Sequence, residues 1–176
     1  MIKFLIEPGY DVKAPVRDYG NAGVDFFIPN RTDTFVKAFN EKNSAGNAVL
    51  DFDSNDDLVI KIMPHGRANI PSGVRSFISA NVALEAQNKS GIATKHGLVY
   101  GASVVDANYQ GIIHISLINT TSKVVELPLG MKAVQFLPRL IDISPIEVYN
   151  NMSLDEFYKD FEFSNRGEGA FGSTGV

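Results

Sequence analysis

The 176-residue sequence contains no cysteine, which rules out disulfides and thiolate metal sites and suits a reducing compartment. No run of Lys or Arg is long enough to form a nucleic-acid stripe, and a net charge of −4 points the same way. The amino-terminal MIKFLIEPGYDVK has too short an apolar stretch for a signal peptide or a membrane span. Asp, Glu and the three His form no cluster with metal-ligand spacing. Helical periodicity is almost missing. These absences describe a soluble, cytoplasmic protein with neither nucleic acid nor membrane as a partner.

What remains is ordinary for a globular chain: 44% hydrophobic and 20% charged residues. The length suits one domain that buries about two-thirds of its unfolded surface. Short β-forming runs fall at residues 3–7, 24–29, 58–63, 68–70, 74–84, 97–100, 112–119, 123–127, 131–138 and 141–148, punctuated by Gly and Pro. In the run at 112–119, Ile113, Ile115 and Leu117 alternate with His114 and Ser116, the period of a strand with one face in a core. Residues 30–57 are rich in turn formers around the short runs 34–39 and 48–52. They read as a surface hairpin excursion inserted in the domain, because their apolar residues are too few for a separate core. One short helix is predicted where Ser153-Leu154-Asp155-Glu156 makes a capping box ahead of Phe157, Tyr158 and Phe161. The fold class is all-β, a barrel or sandwich.

The chemistry concentrates in residues 87–119. Asp106, three residues before Tyr109, sits in a Gly/Ala/Ser-rich connection between two strands, and an acid at such a hairpin is rigidly placed. An Asp in a turn is also a common turn former. Upstream, Lys89-Ser90-Gly91 offers a cation, a hydroxyl and a backbone open to close approach, the parts a phosphate needs. Asp25, flanked by apolar residues, would be costly to bury unless paired; it either ties down its own turn or serves a site. The chain ends in RGEGAFGSTGV, where one Arg, one Phe and a Ser-Thr pair are spaced by glycines. Such a tail is either frayed or an arm that closes over a nucleotide, with a guanidinium for phosphate and a ring for the base.

Taken in order, these pieces resemble the homotrimeric dUTPase family. Ala22-Gly23-Val24-Asp25 resembles its first motif, Lys89-Ser90-Gly91 the second, residues 104–111 (VVDANYQG) the third, residues 130–135 (GMKAVQ) the fourth, and residues 166–175 the carboxy-terminal arm. Asn88 and Lys89 replace the Pro-Arg of the second motif, Lys132 replaces the Arg of the fourth, and Ser103 stands where many members have Gly. The resemblance implies a distorted β-barrel or jelly roll over residues 1–163, with the insertion at about 30–57, followed by a flexible arm at 164–176.

The resemblance also implies Mg²⁺-dependent hydrolysis of dUTP to dUMP and pyrophosphate in a trimer with shared sites. Asp106 would activate the attacking water. Lys89, Ser90, Gly91 and Gln135 would contact phosphates, and Asp25 would hold the waters of a metal ion that has no direct protein ligand. Backbone groups around Ser103, Val104 and Val105 would read uracil, and Tyr109 would lie against the deoxyribose. His114 would contribute to the pocket floor or be a plain sheet-face histidine. Arg166 would clamp the terminal phosphate and Phe171 would stack on uracil, with Gly172, Ser173 and Thr174 as donors. Two alternatives share the fold. A dCTP deaminase would need a Glu where this chain has Ser116, and a nucleotide-binding regulator would lack turnover.

Overall fold

The structure is a computed structural model that describes residues 1–159. Met1–Ile143 form one compact unit, and a second unit begins at Ser144. The first unit is built from twelve strands and two helices. The strands are β1 (Ile2–Ile6), β2 (Val24–Phe27), β3 (Ala48–Phe52), β4 (Leu58–Ile62), β5 (Arg67–Pro71), β6 (Val74–Ile78), β7 (Val82–Gln87), β8 (Leu98–Tyr100), β9 (Val104–Val105), β10 (His114–Asn119), β11 (Val125–Pro128) and β12 (Lys132–Leu140). They pair as four antiparallel sheets, in the orders β1-β6, β5-β10-β8, β11-β4-β3 and β2-β12-β7-β9. The predicted all-β jelly-roll architecture is borne out.

The alternation read in β10 holds residue by residue: Ile113, Ile115 and Leu117 are buried, and His114 and Ser116 are partly exposed. Asn119 ends that strand fully buried. Its Nδ2 donates to the carbonyls of Ile62, Met63 and Lys123, so the polar group is satisfied where β10 and β4 meet the next turn. Phe26 lies at the centre of the core, with edge contacts to Phe4 at 5.4 Å and Phe136 at 4.8 Å. Such pairs stabilise beyond the area they bury.

Three elements differ from expectation. Residues 30–57 are no surface hairpin: they open with a ten-residue helix, α1 (Asp33–Lys42), followed by β3. Thr32 caps it, its hydroxyl accepting the Phe35 N–H at 3.1 Å, with Asp33 in the first turn and Lys42 in the last, each at the favourable end of the helix dipole. Phe35 and Phe39, four residues apart, are both fully buried. The signal was there, but polar flanks hid an apolar stripe of only two large side chains. The second difference lies at residues 141–148, which form no strand although Ile141, Ile143, Ile146 and Val148 alternate plausibly. A strand needs a ladder, and after the Ile141 N–H donates to the Asn81 carbonyl the β12–β7 pairing ends. A further helix, α2 (Ser90–His96), was not anticipated either. The capping box does start a helix, α3 (Leu154–Phe157), with Ser153 Oγ accepting the Glu156 N–H.

If α1 is part of the core, Phe39→Ala should cost about 3–5 kcal/mol, read as a lower urea midpoint. A change within about 0.5 kcal/mol, the value for surface substitutions, would return the segment to the surface.

Candidate active site

The first cluster gathers on one face of the β2-β12-β7-β9 sheet. Asp25 of β2 stands opposite Gln135 of β12, and Gln135 opposite Gln87 of β7. Just past β7, Lys89 extends its Nζ to Asp25 Oδ1 at 2.5 Å, while Lys132 reaches Asp25 Oδ2 at 2.9 Å. The buried acid that needed a partner therefore has two, and they are the two lysines that stand where the family pattern has arginines. An ammonium is a point charge, so each lysine takes one oxygen where a guanidinium would take two. Burial raises the Asp25 pKa, but the hydrogen bonds and charges of Lys89 and Lys132 outweigh it and hold the carboxyl below its ordinary range. Lys132 is raised in turn by Asp25.

Gln135 Nε2 donates to the Asn88 carbonyl at 3.1 Å, and Asn88 Oδ1 accepts the Tyr100 N–H at 2.8 Å. The Asn in place of a motif proline thus ties the cradle to β8. Gly23 is required by contact: a Cβ there would stand 2.6 Å from Gln135 Oε1. Lys89, Ser90, Gly91, Lys132 and Gln135 line a single open hollow of about 390 Å³. It also takes in Ile92, Lys95 and His96 from α2. Lys89 is the N-cap of α2, so the Lys-Ser-Gly stretch begins a helix instead of a loop. The first-turn amides of such a helix have no intrahelical partners.

The second cluster is a cleft of about 160 Å³ around the connection from β8 to β10. Ser103, Val104, Val105, Asp106, Tyr109 and His114 line it, on a floor that includes Ile113 and Phe136. Asp106 is exposed, and its carbonyl accepts the Tyr109 N–H at 3.1 Å, closing the turn that presents the carboxylate. The Tyr109 hydroxyl donates to the Ile112 carbonyl, and a Cβ on Gly111 would fall 2.4 Å from that hydroxyl. The loop is anchored from outside by Arg75, which donates to the Gln110 carbonyl at 2.6 Å while pairing with Glu7. Ser103 has no positive φ, so a non-glycine residue is unstrained there; its carbonyl accepts the Ala86 N–H. Burial, with the charge of Lys42 behind it, lowers the His114 pKa and favours the neutral ring. That charge comes from α1, a contribution invisible in the linear sequence.

The two clusters stay apart within one chain. Gln135 lines the first and Phe136 the second, and consecutive residues of a strand point to opposite faces of its sheet. Asp106 follows Val105, the partner of Leu84, whereas Gln135 pairs with Gln87. They are therefore offset by about 13 Å along β7 and two strand spacings, about 10 Å, across it. Asp106 and the lysine cradle are thus close in sequence and well separated along the sheet. Arg166, Phe171, Gly172, Ser173 and Thr174 lie outside the described residues.

The sequence model of the dUTPase family matches residues 36–175. The deoxyuridine 5'-triphosphate nucleotidohydrolase of Candida glabrata is 32% identical over 76% of this chain and 86% of its own length. That of Neisseria meningitidis serogroup C is 31% identical over 84% and 93%. The chain belongs to the dUTPase family. Among solved dUTPases, that of Staphylococcus bacteriophage 80alpha with dUpNHpp superposes with a TM-score of 0.70 over 100% of this chain and 99% of that one, at 17% identity. A dUTPase of phage phi11 of S. aureus, described with a structural Mg(II) ion, gives 0.62 over 86% and 98%, at 14% identity. These likenesses show the dUTPase fold.

The Asp25 pair has a pH signature. Because its folded pKa is depressed, Asp25 contributes stability fully above the unfolded value, about 3.9, and loses it as pH falls through the lower folded value. Asp25→Asn should cost about 1–3 kcal/mol at pH 7. Urea titrations should show the gap to wild type closing below about pH 4; a gap independent of pH would mean that the ion pairs contribute nothing.

Proposed function

We propose that the chain's dUTP diphosphatase activity, hydrolysis of dUTP to dUMP and pyrophosphate, runs on a site completed between copies. The nucleoside cleft and Asp106 of one copy face the lysine cradle of the next. The observation that carries this reading is the separation of Asp106 from the lysine cradle, about 13 Å along β7 and about 10 Å across it. That separation within one copy supports a site in which a closed ring of copies brings Asp106 and Lys89 to one nucleotide. A homotrimer is the assembly we propose, in the cytoplasm, with dUTP as the substrate.

Uracil seats against the backbone of residues 101–105, where hydrogen-bonding groups rather than side chains read its edge. Tyr109, whose hydroxyl is already committed to Ile112, lies against the deoxyribose as a fixed wall. Asp106 accepts a proton from the water that attacks the α-phosphorus; the bond from that phosphorus to the bridging oxygen breaks, and pyrophosphate leaves with the electron pair. A placed base supplies about 10²–10⁴ in rate. Lys89, Lys132 and Gln135 hold the phosphates and spread the charge that moves onto the leaving group. The carboxy-terminal arm, with Arg166, Phe171 and Gly172 to Thr174, closes over the nucleotide.

The donor set suits a hard cation carried on the substrate. Asp25 is the carboxylate of the cradle and would accept hydrogen bonds from the waters of a Mg²⁺ ion on the phosphates, an ion that neutralises phosphate charge when bound. Asp25 also keeps the two lysines in register before substrate arrives.

Asp106→Asn should leave binding of a non-hydrolysable dUTP analogue nearly unchanged and cut turnover at least a hundredfold; normal turnover would remove Asp106 from the mechanism. The shared site predicts complementation. Asp106→Asn and the double variant Lys89→Ala/Lys132→Ala should each be inert, yet recover activity when refolded together. No recovery in mixed oligomers would place a whole site in one copy.

A further inference from the structure

We propose that Lys95 is a further phosphate-binding residue of the cradle, supplying the cation that Asp25 leaves free; this rests on the reading of the cradle given above. Two ammoniums, Lys89 and Lys132, share the single carboxylate of Asp25, each bonded to one of its oxygens. Their net charge is therefore one positive unit, and both are held back from an incoming polyanion by a partner they must partly release. A triphosphate carries more charge than that pair can offset.

The same hollow has one other ammonium. Lys95 lies on its wall with Ile92 and His96, which occupy the i−3 and i+1 positions on α2. Ile92 is buried and fixes which face of the helix is turned inward, so its neighbour one turn on, Lys95, is carried to the hollow's edge. Lys95 is exposed and, among the described residues, forms no ion pair, unlike Lys89 and Lys132. It has the reach of four methylenes and no competing carboxylate. With Lys95 the cradle carries two net positive units. A cation that gives up no existing partner on binding contributes more of its attraction to affinity than one already paired. The bland alternative is that Lys95 only complements the carbonyl end of α2, where it occupies the last turn.

The test measures phosphate and nucleoside binding separately in the full chain. Lys95→Gln should weaken binding of inorganic tripolyphosphate about tenfold in calorimetric titration, with the difference shrinking at high salt. Deoxyuridine binding should be unchanged, and Lys95→Arg should restore the phosphate affinity. With dUTP, the Lys95→Gln loss should appear in KM more than in kcat. Unchanged tripolyphosphate affinity would overturn the proposal, and so would an equal loss for deoxyuridine, which would mean that the helix had been disturbed. If wild type fails to hydrolyse dUTP, the reading of the activity falls, while the tripolyphosphate titration still decides the role of Lys95.

Discussion

Asp25 accepts a hydrogen bond at each carboxylate oxygen, one from Lys89 and one from Lys132, and this three-residue contact joins β2, β12 and the start of α2. Asp25 is nearly buried, so removing both lysines would leave its charge without compensation in a poorly solvated place, and removing Asp25 would leave two ammoniums facing each other. The cradle geometry depends on it. Gln135 sits between the two lysine-bearing segments, and Gly23 leaves the room Gln135 needs. The departures from the family pattern belong together for the same reason: one carboxylate can hold two point charges, one on each oxygen, which suits a pair of lysines.

The second constraint is the pleat of β12. Gln135 lines the lysine hollow and Phe136 the floor of the Asp106 cleft, because a strand cannot turn consecutive side chains to the same face. The turn at Asp106 is braced from within the chain, through Arg75, Tyr109 and the carbonyl of Ser103.

The inserted segment contributes in a different way. Through Phe35 and Phe39 the helix α1 becomes part of the core, and the charge of Lys42 adds to the burial that lowers the proton affinity of His114 in the Asp106 cleft. Asn43 fastens its end, donating to the carbonyls of Phe39 and Asn69 and accepting the Asn69 N–H. The segment read from sequence as a surface excursion thus packs into the core and carries a charge close to His114.

Much of this could be read in the linear chain. The period-2 burial of β10, the capping box at Ser153 and the order of the five motifs follow from local rules, since side-chain alternation and helix caps are set by residues within a turn of each other. Asp25 was visible as an acid that would need a partner. Its partners were not, because Lys89 and Lys132 lie 64 and 107 positions away and only sheet register brings them together. The same holds for the segment at 141–148, whose alternation suits a strand but which forms none, because no local pattern can provide a ladder. Residue types and their order determined the chemistry this protein can perform. The tertiary structure alone decided on which face of the sheet each part stands, because the direction of a side chain belongs to the pleat and the pairing, and pairing is a long-range property.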